Sequence, residues 1–122
     1  MAQITEDYVS FETAKLLKEK GFDKICYCNY SSDGRTQHWN YQTPSDGIAC
    51  PTLQTAIKWL REIYNVHVTP KFDFYGGYYT GRIYDGRRES ASERDEYIAI
   101  VGHRTYEEAA EAAIKYCLEN LI

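Results

Sequence analysis

The spacing of apolar residues changes at Val66, and this change most restricts the fold. Before it, apolar residues recur every three or four positions, as on one face of a helix. They are Leu53, Ala56, Ile57, Leu60, Ile63 and Tyr64. From Val66 the interval is two, so Val66, Val68, Phe72 and Phe74 share one side of a strand. A chain with both periods in adjacent segments must pack helices against a sheet.

Three segments are predicted to be helices. The first begins after the N-cap residue Ser10 and ends at Gly21, and the second has Pro51 in its first turn. The third opens with a capping box formed by Thr105 and Glu108. It carries the most complete apolar face of the chain: Tyr106, Ala109, Ala110, Ala113, Ile114, Cys117, Leu118 and Leu121.

The remaining β-prone segments predict a hairpin and a three-stranded meander. The hairpin pairs residues 25–30 with residues 38–42, and residues 43–47 read as a loop. The meander starts at Val66 and returns with residues 97–101 after a polar stretch, residues 85–96, that predicts a mobile loop.

The first turn of the meander has a sequence signature of its own. Gly76 and Gly77 predict a two-residue turn, which would place Phe74 opposite Tyr79 and Phe72 opposite Gly81. Pro70 lacks an amide proton, so its strand is predicted to be an edge or to carry a bulge.

The length of 122 residues favours one domain, because two cores would each be too small to fold comfortably. The sequence therefore predicts a single α+β domain over residues 1–122, with the hairpin and meander as an antiparallel sheet packed by three helices.

Composition argues against several classes of protein. The formal net charge of −4 disfavours nucleic-acid binding, and the richest arginine stretch, residues 82–104, balances five arginines with five acidic residues. No apolar run approaches the roughly 20 residues that span a bilayer, and the amino terminus lacks a secretion signal. Four cysteines without disulfide-framework spacing predict reduced thiols in the cytoplasm.

No pattern in the sequence predicts a catalytic residue or a cofactor. Cys26 and Cys28 share a strand face and offer two zinc ligands, but the second pair typical of a structural zinc site is missing. His103, Arg104 and Thr105 stand where the last helix begins, so they are a candidate anion site. The alternative is that His103 is an exposed linker residue. Enzyme activity stays open, with no reaction indicated.

Tyrosines concentrate in the predicted meander. One strand face gathers the candidate partner surface: Tyr75, Tyr78, Thr80, Arg82 and Tyr84. Tyrosine and arginine are enriched at interaction hot spots, which suggests a surface for a partner protein. The alternative is ordinary core, covered by the last helix or by a second copy of the chain.

Three blocks, residues 6–23, 51–65 and 105–122, resemble short proteins encoded in phage and prophage regions of gut bacteria. They read EDYVSFETAKLLKEKGFD, PTLQTAIKWLREIYN and TYEEAAEAAIKYCLENLI. The resemblance implies a mobile-element setting and no particular activity.

The expected function is therefore that of a non-enzymatic accessory protein that binds another protein or itself. One alternative is a single-stranded nucleic-acid-associated protein that stacks bases on the tyrosine hairpin. Another is a small ligand-binding or hydrolytic domain around His103.

Overall fold

The structure is a computed structural model that describes residues 6–43 and 46–122. In chain order its helices and strands are α1 (Phe11–Glu19), β1 (Cys28–Tyr30), β2 (Gln37–Trp39), β3 (Ile48–Cys50), α2 (Leu53–Tyr64), β4 (Val66–Asp73), β5 (Tyr78–Asp85), α3 (Ala91–Asp95), β6 (Tyr97–His103) and α4 (Tyr106–Asn120). The predicted loop over residues 43–47 falls partly on residues 44–45, which lie outside the described residues.

The strands form two antiparallel sheets of three strands each, in the orders β2-β1-β3 and β4-β5-β6. This confirms the α+β fold class. The hairpin and the meander belong to separate sheets, and β3 adds an edge strand that the sequence did not predict. Three-residue strands such as β3 are too short for an alternation pattern to reveal.

The helix α4 determines which side of the second sheet is buried. A Cβ atom on Gly81 would lie 2.8 Å from the carbonyl oxygen of Ala109 and 2.8 Å from the Cβ of Ala113. The helix therefore approaches the centre of β5 almost to backbone contact, which only small side chains allow. Ile83, on the same side of the sheet as Gly81, is buried with α4 in the hydrophobic core. We call this side of the second sheet its inner face.

The predicted turn between β4 and β5 is wrong by two residues. Phe72 pairs with Tyr79 and Asp73 with Tyr78, so residues 74–77 form a four-residue loop. The Asp73 carboxylate explains the difference, because its Oδ1 accepts the amide protons of Tyr75 at 3.0 Å and Gly76 at 3.2 Å. A shift of two residues keeps the side chains within β4 and β5 on their predicted faces, whereas Phe74 and Tyr75 fall in the loop.

Pro70 lies in an edge strand, as predicted, since β4 has only β5 as a neighbour. It pairs with Gly81, so the proposed pairing of Phe72 with that glycine is wrong. The one register irregularity in this sheet falls elsewhere, between Tyr79 and Gly81 on the β6 side of β5.

Several predicted boundaries differ from the structure. The first two strands are shorter than residues 25–30 and 38–42. Pro51 lies before α2 and not in its first turn, because the next residue, Thr52, is the N-cap, and its hydroxyl accepts the amide proton of Thr55. Ile63 was assigned to the buried stripe of α2 but is 57% exposed near the end of that helix.

The polar stretch over residues 85–96 is not simply a loop. Ser90 caps the short helix α3 by accepting the amide proton of Glu93 at 3.1 Å. Arg94 holds the segment that leads into α3, because it donates to the carbonyl oxygens of Arg88 and Glu89, both at 2.9 Å.

No helix in the described part of the chain is long and apolar enough to cross a membrane.

Candidate protein-binding surface

The outer face of the second sheet points away from α4. It consists of His67, Thr69, Lys71, Asp73, Tyr78, Thr80, Arg82, Tyr84, Tyr97 and Ala99. Tyr78, Tyr97 and Ala99 are exposed, and the central residues Thr80 and Arg82 are half-buried. This side of the sheet is therefore open to solvent.

Four of the five residues predicted for a partner surface lie together here: Tyr78, Thr80, Arg82 and Tyr84. Tyr75 does not belong to the strand, because it lies in the loop between β4 and β5 and is 98% exposed. The last helix does not cover these residues, since it packs on the inner face.

The hairpin tip, residues 72–78, extends past Tyr106, the first residue of α4. Helix α4 begins at Tyr106, whose ring contacts Tyr79 at a centroid distance of 6.3 Å, and no described helix residue covers the strand ends farther out. Phe74 is 82% exposed and Phe72 is 47% exposed. Both come from the segment predicted to share one strand face with Val66 and Val68, which are buried. Alternation shows which side chains share a face, but it does not show how far a covering helix reaches.

A groove of about 480 Å³ runs across the outer face beside the tip. From β4 and the loop it is lined by Lys71, Phe72, Asp73, Phe74 and Tyr75, from β5 by Thr80 and Arg82, and from β6 by Tyr97, Ala99 and Val101. Sequence reasoning missed the β6 side. The signal available was the alternation of Tyr97, Ala99 and Val101, which places them on one face of that strand.

The groove contains two cations, and neither forms an ion pair with a described carboxylate. The guanidinium carbon of Arg82 lies 4.4 Å from the centroid of the Tyr97 ring, a cation–π geometry that holds the group in place. Within the described residues, neither Arg82 nor Lys71 has a carboxylate oxygen within 4.0 Å. The carboxylate of Asp73 also lines the groove; it accepts two loop amides but keeps its negative charge.

Two other arginines near this sheet, Arg87 and Arg88, form ion pairs within the chain. Arg87 contacts Asp85 at 2.8 Å, and the resulting hydrogen bond is the main reason that the pKa of Asp85 lies below its ordinary value. Arg88 contacts Glu96 at 3.4 Å. These pairs agree with the prediction of a mixed surface, and they leave Arg82 as the arginine presented in the groove.

The aromatic rings of this region do not form a flat platform. The rings of Phe74 and Tyr75 meet at 89°, and those of Tyr84 and Tyr97 at 48°. One side of the Tyr97 ring is also occupied by Arg82. Stacked bases need accessible, roughly parallel ring faces, so this arrangement does not favour a single-stranded nucleic acid.

His103 lies just before the last helix, as predicted, but it is not an exposed linker residue. It ends β6, where it pairs with Tyr79, so it is a strand residue and not a linker residue. Its neighbourhood is a cleft of about 620 Å³ between α4 and the first sheet. Tyr8, Tyr30 and Trp39 line this cleft together with four acidic residues: Asp7, Glu107, Glu108 and Glu111.

The carboxylates of this cleft oppose the predicted anion site. Thr105 caps α4 by accepting the amide proton of Glu108 at 3.1 Å, and the Arg104 amide donates to the Glu108 carboxylate at 3.3 Å. The start of the helix is thus capped by the chain's own side chains. An anion beside His103 would also face four negative charges, so this geometry does not favour anion binding there.

Glu111 links α4 to α1 at the same cleft. Its Oε1 accepts the hydroxyl proton of the buried Thr13 at 2.7 Å and the amide proton of Ser10 at 2.9 Å. Its Oε2 is buried and has no hydrogen-bond partner among the residues that the structure describes. The residue therefore has a structural role in joining the two helices.

The cysteines are buried and free of disulfides. Burial raises the pKa of the Cys26 thiol to about 11 and that of Cys117 to about 12, so both stay protonated near neutral pH. A protonated thiol is a poor nucleophile and a poor metal ligand. Across the described ranges, no three His, Cys, Asp or Glu side chains are grouped in a way that could hold a metal ion.

Comparison of this chain with protein-family models, with curated proteins and with solved structures finds no match. The assignment of function therefore depends on the surface itself.

Proposed function

We propose that this chain is a non-enzymatic protein that binds a partner protein through the outer face and the hairpin tip of its second sheet. The observation that carries the proposal is the exposure of the tip, where Phe74 is 82% and Tyr75 98% exposed. A folded chain gains free energy by burying such rings, so an exposed group of them is typical of an interaction site.

The size of this apolar patch fits a modest interface. With roughly 200 Å² for a fully exposed aromatic side chain, the exposed fractions of Phe72, Phe74, Tyr75 and Tyr78 amount to about 560 Å². One partner in a stable complex contributes about 800 Å². The tip rings therefore supply most of that area, and the exposed Tyr97 and Val101 beside them on β6 extend the patch.

The setting of the proposed function is the cytoplasm of a bacterium that carries a phage or a related mobile element. The four free, buried cysteines support a reducing compartment. The resemblance of the three sequence blocks supports the mobile-element setting.

Affinity capture with matched variants tests the proposal. The tagged chain is compared with the double variant Phe74→Ser/Tyr75→Ser, and with a control, Ile25→Ser/Ile63→Ser, that removes two exposed apolar side chains elsewhere. Each lysate is divided into nuclease-treated and untreated halves. We expect a stoichiometric protein that resists nuclease and is retained by the control but lost from the tip variant.

Two results contradict the proposal. A partner captured equally by the tip variant and the parent would show that another surface binds it. Material lost on nuclease treatment would instead favour the nucleic-acid function. Thermal unfolding of each variant shows whether it is folded, and we expect melting temperatures close to that of the parent because the substituted side chains are exposed.

In a second version of this proposal, the partner is another copy of the same chain. Sedimentation velocity of the parent and of Phe74→Ser/Tyr75→Ser distinguishes it. An oligomer that dissociates in the tip variant would identify a second copy as the partner. A parent that is monomeric at all concentrations leaves a different protein as the partner.

A further inference from the structure

We infer that the groove binds an acidic segment of the partner, in which a carboxylate lies next to an apolar side chain. This inference rests on the proposed function and specifies the chemistry of the partner. It comes from the charges and shapes inside the groove, which the tip rings of Phe74 and Tyr75 help to line.

Arg82 is the residue that would bind the partner's carboxylate. It is half-buried in the centre of the sheet, and its guanidinium lies against the Tyr97 ring at 4.4 Å. None of its N–H donors has an acceptor among the described residues, although Arg87, Arg88 and Arg94 all do. An arginine held by a ring and left without an acceptor is ready to bind a carboxylate through two parallel hydrogen bonds.

Lys71 adds a second cation to the same groove. It lies on β4 opposite Thr80, one position along the outer face from the Thr69–Arg82 pair. With the carboxylate of Asp73 counted, the lining of the groove carries a net charge of +1 on a chain whose net charge is −4. The positive potential is therefore local, and it selects for a negative group at this place.

Ala99 supplies the apolar part of the site. Its small side chain lies between Tyr97 and Val101 on the outer face of β6 and next to Arg82 on β5. It leaves a depression with an aromatic ring on one side and the 68% exposed Val101 on the other. A partner's aliphatic or aromatic side chain fits there while its neighbouring carboxylate reaches Arg82.

A peptide fits these features better than a nucleic acid. Two cations in one groove are too few to follow a phosphate backbone, and they are surrounded by aliphatic groups on the β6 side. The exposed rings also meet at steep angles and do not present a stacking platform.

Selection from a displayed library of random dodecapeptides tests the inference. The full chain is the bait, and peptides that also bind Phe74→Ser/Tyr75→Ser are removed. Fluorescence anisotropy then measures the affinity of the chain for three labelled ligands. The first is a selected peptide, the second is the same peptide with Asp and Glu replaced by Asn and Gln, and the third is an oligodeoxythymidine.

We expect the selected peptides to carry an acidic residue next to an aromatic or aliphatic one. Arg82→Gln should weaken their binding at least about tenfold, because it removes a charge-assisted hydrogen-bonded contact. Arg82→Lys should recover part of that loss, since it keeps the charge but not the planar fork. Arg61→Gln, which removes a charge from α2 outside the groove, should leave the affinity unchanged.

A failure of this inference can be distinguished from a failure of the proposed function. Peptides that need the tip but bind Arg82→Gln and the amide-substituted probe equally well would overturn the acidic partner and leave the proposed function standing. A selection that yields no tip-dependent peptide would overturn both. Binding of the oligodeoxythymidine alone would also overturn both, in favour of the nucleic-acid function. Thermal unfolding of Arg82→Gln and Arg82→Lys confirms that each variant is folded before its affinity is compared.

Discussion

Replacement of Gly81 by alanine tests which face of the second sheet is covered. Glycine inside a strand costs roughly 0.5–1 kcal/mol relative to alanine, so secondary-structure propensity alone predicts that Gly81→Ala stabilises the protein. The structure predicts the opposite. The new Cβ would lie 2.8 Å from both the Ala109 carbonyl oxygen and the Ala113 Cβ, about 0.6 Å closer than ordinary contact at 3.4 Å.

The size of the effect follows from these two opposing contributions. A backbone carbonyl cannot rotate away as a side chain can, so α4 or β5 must move, and overpacking of this kind costs about 1–3 kcal/mol. After the gain in propensity is subtracted, the midpoints of the two ranges predict that the free energy of unfolding falls by about 1 kcal/mol. For a domain of this size that lowers the melting temperature by roughly 3–8 °C.

Urea unfolding followed by circular dichroism measures the change directly. Thr80→Ala is the matched control, because it alters the next residue on the outer face and should change stability by no more than about 0.5 kcal/mol. In a background of Ala113→Gly, which removes one of the two contacts, Gly81→Ala should cost less. If Gly81→Ala proves as stable as the parent or more stable, α4 does not pack over β5 as described, and the outer face need not be the open one.

Three further predictions concern the loop, the acidic cleft and the thiols. Asp73→Ala should lower stability by about 0.5–1.5 kcal/mol and speed hydrogen exchange at the Tyr75 and Gly76 amides; unchanged exchange would refute the capping role. Glu111→Ala should cost about 1–3 kcal/mol in urea unfolding, because it leaves the buried Thr13 hydroxyl without this acceptor, whereas the exposed Glu107→Ala should cost little; equal effects would contradict the link. Native Cys26 should react slowly with a thiol reagent at pH 8 and quickly after unfolding. Because its folded pKa is raised to about 11, the stability that it contributes is present below its ordinary pKa of about 8.5 and is lost as pH rises towards 11; flat stability over that range would contradict the shift.

The sequence alone determined the local structure where a signal depends on neighbouring residues. The apolar stripe of α2 and the capping residues of α1 and α4 were predictable because a helix is set by contacts within four positions. The strand faces were also predictable, since alternation fixes which side chains of β5 lie together whatever the partner strand. For this reason Tyr78, Thr80, Arg82 and Tyr84 were grouped correctly before their surroundings were known.

Only the tertiary structure decided what those faces contact. The side covered by α4 depends on the fit of Ala109 and Ala113 over Gly81, a contact between residues 28 and 32 positions apart. The register depended on an aspartate side chain rather than on the two glycines. The exposure of Phe72 and Phe74 depended on where a distant helix begins. Patterns of spacing report the direction of a side chain, whereas its burial and its partners are set by elements brought together from far along the chain, and the groove around Arg82 is such an assembly of β4, β5 and β6.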